Sequence, residues 1–89
     1  MIERSVTILN RTGLHARPAA EFVKLAGRFE AEIKITKEDL TVDGKSIMGV
    51  MMLAAERGST VTITADGPDE AEALERLSAF LETDTEGSA

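Results

Sequence analysis

Ala31, Ile33 and Ile35 alternate with Glu32, Lys34 and Thr36. An apolar residue at every second position marks a strand with one face in a core and the other in water. The alternation recurs where Val61, Ile63 and Ala65 are interleaved with threonines, and again where Val6 and Ile8 alternate with Ser5, Thr7 and Leu9. Lys37-Glu38-Asp39 turns the chain toward a shorter strand around Leu40 to Val42, so these two strands should pair as a hairpin. Strands polar on one face need covering on the other face only.

Helices are available to supply that cover. From Ala16 the spacing changes to three and four, with Ala19, Phe22, Val23 and Ala26 on one stripe and Gly27 at its end. Asp43-Gly44-Lys45-Ser46 reads as a turn whose serine can cap a short helix from Ile47 to Leu53, and Gly58 closes that region. Gly67-Pro68 stops the last strand. Asp69 with Glu72 then reads as an acidic capping box for a final helix with the stripe Leu74, Leu77 and Leu81 and Phe80 beside it. The order β-α-β-β-α-β-α implies an α+β fold: an open-faced two-layer sandwich, with a four-stranded antiparallel sheet covered on one face by three helices. Residues 1–82 form the expected domain, and the small polar residues 83–89 a flexible acidic tail.

At 89 residues there is room for one core, and the site should lie at the surface. Cysteine is absent and histidine occurs once, which removes disulfides, thiolate zinc sites and a histidine-based metal cage, so neither metal nor cofactor is expected. The net charge of -6 argues against nucleic acid as a partner. Its distribution matters more: from Asp66 onward eight acids face one base, a net of -7, which leaves +1 for residues 1–65. The half holding the histidine is thus open to anions. No stretch approaches the ~20 apolar residues needed to cross a bilayer, and the start lacks a basic segment followed by an apolar run. A cytoplasmic protein without membrane attachment is the expectation.

The chemistry concentrates in Asn10-Arg11-Thr12-Gly13-Leu14-His15-Ala16-Arg17-Pro18-Ala19-Ala20. Pro18 falls in the first helical turn, where the N–H it lacks would go unpaired anyway. The free amides of that turn, Ala16 among them, and the helix dipole put partial positive charge beside His15, which favours an uncharged, nucleophilic ring. The same field suits a phosphoryl group on that ring, and Arg17 can add charge-assisted hydrogen bonds. The dipole contributes on the order of 1 kcal/mol, enough to tune a transfer potential without driving the chemistry. A histidine at a helix start can also be an ordinary surface or capping residue, and spacing alone leaves both readings open. Ile47, Met48, Val50, Met51 and Met52 are apolar almost all round a two-turn helix that can bury one side only, so Ile47, Met48 and Met51 are expected to form an exposed docking patch with a basic rim of Arg17 and Lys24.

Gly13-Leu14-His15-Ala16-Arg17-Pro18-Ala19 resembles the active-site signature of the HPr family, the histidine-containing phosphocarriers of the bacterial sugar phosphotransferase system. Gly44-Lys45-Ser46-Ile47-Met48-Gly49-Val50-Met51-Met52-Leu53 resembles the family's second signature. The resemblance extends from Val6 through the last helix. It implies that His15 is phosphorylated on Nδ1 by enzyme I, itself charged from phosphoenolpyruvate, and passes the group to enzyme IIA components of sugar transporters. It implies stabilisation of the phosphate by Arg17 and the Ala16 amide, partner contacts at Ala20, Lys24, Ile47, Met48 and Met51, and a monomer. Ser46 matches a serine that, in many Gram-positive bacteria, an ATP-dependent HPr kinase/phosphorylase modifies as a catabolite switch acting with a catabolite-control transcription factor. Gly27 departs from the pattern, standing where many Gram-positive members carry a lysine, and the acidic tail lies outside it.

Three alternatives remain at this level. A nitrogen-related paralogue uses the same histidine with another enzyme I, although Lys45-Ser46-Ile47-Met48-Gly49 looks more like the sugar branch. A non-catalytic regulatory module would dispense with the histidine, which is present here. A small hydrolase needs a base and a positioned water, and the motif assigns no second group to that task.

Overall fold

Alternating residues become a sheet with two unlike faces. The computed structural model describes residues 1–9 and 13–83. Its elements are β1 (Ile2–Thr7), α1 (Ala16–Ala26), β2 (Glu32–Lys37), β3 (Leu40–Asp43), α2 (Ile47–Met52), β4 (Thr60–Asp66) and α3 (Glu70–Glu82). The strands form one antiparallel sheet in the order β1-β4-β2-β3. Val6 pairs with Val61, Ile35 with Ile63 and Ile33 with Ala65, so these six side chains share one face and all are buried. On the opposite face Ser5, Thr62, Thr36 and Thr41 stand in register across all four strands, with Thr36 and Thr41 hydroxyls 2.8 Å apart.

The three helices close the apolar face. α1 contributes Ala19, Phe22 and Ala26, α2 contributes Val50, and α3 contributes Ala73, Leu74, Leu77 and Leu81, in one cluster with the strand residues. Phe22 meets Phe80 at a centroid distance of 6.2 Å and a tilted angle. The fold is the expected open-faced two-layer α+β sandwich. β1 begins earlier than the alternation suggests, at Ile2, and ends at Thr7. Ile8 and Leu9 then leave the sheet, with their amides donating to the carbonyls of Ser59 and Leu81.

One local expectation is corrected. Asp69 stands at the N-cap of α3, but its side chain makes no capping bond. Its two carboxylate oxygens accept instead from the amides of Glu30 and Ala31, each at 2.9 Å, because the α1–β2 loop brings two backbone donors against it. Glu70, not Glu72, reaches back to the helix start, accepting from the Gly67 amide at 3.0 Å. Glu72 faces Arg76 one turn on, at 3.5 Å. α1 does end at Gly27, in a right-handed conformation with φ -65°. Residues 10–12 lie outside the described residues, as does the expected tail 83–89 apart from Thr83, whose hydroxyl donates to the Ala79 carbonyl at 2.7 Å.

Candidate functional site

The loop between β1 and α1 is held by its glycine. Gly13 has φ +70°, and a Cβ there would lie 2.5 Å from the Ala55 carbonyl oxygen, so only glycine allows this approach. The next amide, of Leu14, donates to that same carbonyl at 2.8 Å, and the Leu14 side chain is buried. Leu14 thereby anchors the residue that follows.

His15 is the N-cap of α1, extended at φ -78° and ψ -171°, exposed, and without a side-chain capping bond. Its carbonyl accepts the first bond of the helix, from the Ala19 amide at 2.8 Å. Pro18 has no N–H, so the amides of Ala16 and Arg17 are the donors that the first turn leaves without an intrahelical partner. Arg17 is exposed and carries no ion pair among the described residues. A ring, two amides and a guanidinium at one helix end, all without a partner among the described residues, make a place where an anion attached to the ring can be held.

The other wall comes from α2 and the turn after it. Leu14, His15, Met51, Ala54, Ala55 and Glu56 line an open cleft of about 260 Å³. Ala54 has a left-handed backbone, φ 51°, an unusual conformation for a residue with a Cβ. Lys37 at the end of β2 supports this turn, its Nζ donating to the carbonyls of Leu53 and Ala54 at 3.4 Å.

Ser46 caps α2 as its sequence position suggests, its Oγ accepting from the Gly49 amide at 3.1 Å. Within α2 only Val50 is buried. Ile47 is 45%, Met48 73%, Met51 42% and Met52 64% exposed. Met51 lines the His15 cleft, while Ile47 and Met48 are exposed on the same helix without lining it. Ala20 and Lys24 are exposed on α1. Lys24 borders a different hollow, shared with Glu21, Leu25, Arg28 and Phe80, on the α3 side of the helix. Sequence reasoning missed Met52, which the helical repeat leaves ambiguous on so short an element. It also missed Ala54 to Glu56, since alanine carries no mark of a left-handed turn.

A family profile described as PTS HPr component phosphorylation site matches residues 2–83. The chain belongs to the HPr family. Phosphocarrier protein HPr of Cupriavidus necator is 53% identical over 81 residues, which cover 91% of each chain. The crystal structure of a phosphocarrier protein HPr from Bacillus anthracis superposes with a TM-score of 0.88 at 50% identity, covering 90% of this chain and 95% of that one. Crh of Bacillus subtilis, described as a catabolite repression containing protein, matches with a TM-score of 0.76 at 45% identity, covering 94% and 97%. Its crystal structure is described as a dimer with a swapping domain, so the relatives do not bear out the expectation of a monomer. HPr-family chains are phosphocarriers of the phosphotransferase system, and this one has their four-stranded antiparallel sheet and three helices.

Proposed function

We propose that this chain is a phosphoryl relay of the sugar branch, taking a phosphoryl group from enzyme I onto His15 and handing it to enzyme IIA components of sugar transporters. The observation that carries the reading is an exposed imidazole at the start of α1, beside the amides of Ala16 and Arg17, which have no partner among the described residues, and an apolar helix facing solvent. In the transfer the Nδ1 lone pair attacks phosphorus, a P–N bond forms, and the bond to the donor breaks. Arg17 and the Ala16 amide stabilise the phosphoryl oxygens by charge-assisted hydrogen bonds. The helix end adds about 1 kcal/mol, an amount that keeps the group transferable. Ile47, Met48 and Met51, with Ala20 and Lys24 across α1, dock the partners. The relay works as a cytoplasmic monomer.

Ser46 is the second site of the proposal. A phosphate there would sit on a helix cap and add about two negative charges to the docking face, repelling an acidic partner while leaving the domain folded. The likeness to Crh supports a catabolite-linked role, with an HPr kinase as the modifying enzyme and a transcription factor as the reader.

Mass spectrometry after incubation with phosphoenolpyruvate and enzyme I tests the reading. The expected result is one acid-labile phosphate on wild type and none on His15→Ala. Label that persists in His15→Ala, or steady release of inorganic phosphate, overturns it. Incubation with ATP and an HPr kinase should add one acid-stable phosphate that Ser46→Ala abolishes; its absence from wild type removes the regulatory half.

A further inference from the structure

We propose that the thioethers of Met48, Met51 and Met52 form a peroxide-responsive modification site whose sulfoxides weaken docking beside His15. The inference rests on the reading of α2 as the docking surface. The chain has no cysteine and four methionines, so thioethers are its only sulfur chemistry. Three of the four fall within five consecutive positions on one short helix, and all three are open to solvent. A methionine packed in a core is shielded from oxidants; these are not.

Their position sets the consequence. Val50 is the one buried residue of α2, so oxygen added to the neighbouring sulfurs changes the surface and leaves the core packing intact. Met51 lines the cleft that contains His15. In the reaction a thioether sulfur donates an electron pair to a peroxide oxygen, the O–O bond breaks, an S–O bond forms, and the departing hydroxide leaves as water after taking a proton. Sulfur is oxidised by two electrons and the peroxide is reduced by two. The sulfoxide is a strong hydrogen-bond acceptor, and a partner that covers it without offering a donor incurs the cost of an unsatisfied polar group. Methionine sulfoxide reductases reverse the change.

Met1 provides the internal comparison. It is 76% exposed but precedes β1, at the other end of that strand from the loop leading to His15, with its amine facing Asp66 and Glu70. The full chain is treated with hydrogen peroxide, sulfoxide is mapped at each methionine by peptide mass spectrometry, and KM and kcat for phosphorylation by enzyme I are measured before and after. The expected result is a KM raised roughly tenfold with kcat held within about twofold, an unchanged circular dichroism spectrum, and recovery on treatment with the reductases. In a Met48→Leu, Met51→Leu, Met52→Leu variant, compared with its own untreated KM, peroxide should have no effect. A wild-type KM that ignores all three sulfoxides overturns the proposal, as does a peroxide effect that persists in the variant, a loss of folded signal, or oxidation confined to Met1. An untreated chain that takes no phosphate on His15 overturns the relay reading as well. Normal phosphorylation with a KM indifferent to peroxide overturns this proposal alone.

Discussion

Ser78 lies inside α3 with its hydroxyl buried and no hydrogen-bond partner among the described residues. A hydroxyl removed from water without a partner costs free energy, and alanine is the better helix former. Ser78→Ala should therefore raise stability by about 1 kcal/mol, seen as a melting temperature higher by about 4–8 °C in a domain of this size. An unchanged or lower melting temperature would mean that the hydroxyl is satisfied after all. Ala54 is costly in a second way. Its left-handed backbone stores roughly 1 kcal/mol in the turn that forms one wall of the His15 cleft. Neither cost is visible in composition or periodicity, because serine and alanine are ordinary residues on the stripe and in the loop where they occur.

At the scale of elements, the start of α3 is tied to the α1–β2 loop through one carboxylate. The Glu30 amide, the larger influence, and the Ala31 amide hold Asp69 below the ordinary aspartate value of 3.8. A native carboxylate that binds its proton less tightly than the unfolded chain stabilises the fold fully above 3.8. That contribution falls away as pH drops through the lower native value. Chemical denaturation across this acid range should show wild type losing more stability than Asp69→Asn, whose amide has no such proton to bind. Parallel acid curves for the two proteins would exclude the tie. The elements themselves were legible in the residues: Ile33 and Ile35, Val61 and Ile63, and the stripe through Phe22 follow directly from which face must be dry. The partner of Asp69 was not, because a side chain three positions before a glutamate satisfies the local capping pattern, while a tertiary contact with Glu30 and Ala31 prevails. The His15 motif was legible as a helix start with an exposed imidazole. Its opposite wall was not, since Ala54 to Glu56 meets it only through the fold.

Across the whole molecule, charge and pairing are unevenly placed. Arg17 and Lys24 are exposed on α1 and Arg28 just beyond its end, while Glu72, Glu75 and Glu82 are exposed on α3, so the acidic excess is carried by a different helix from the one that His15 caps. β1 and β3 are the sheet's outer strands, and β1, on its side away from β4, has no strand partner among the described residues. Light scattering during size-exclusion chromatography should give a one-chain mass at tens of micromolar, as the relay reading requires. A concentration-dependent two-chain mass would align this protein with the dimer described for Crh. The strand order has one more consequence. β4, which bonds to both β1 and β2, is the last strand made. A chain still emerging from the ribosome carries the histidine and the hairpin but lacks the strip that joins them. The proposed phosphorylation site therefore comes into being only near the end of synthesis, and a product truncated before residue 60 would be a chain with an imidazole and no scaffold to aim it.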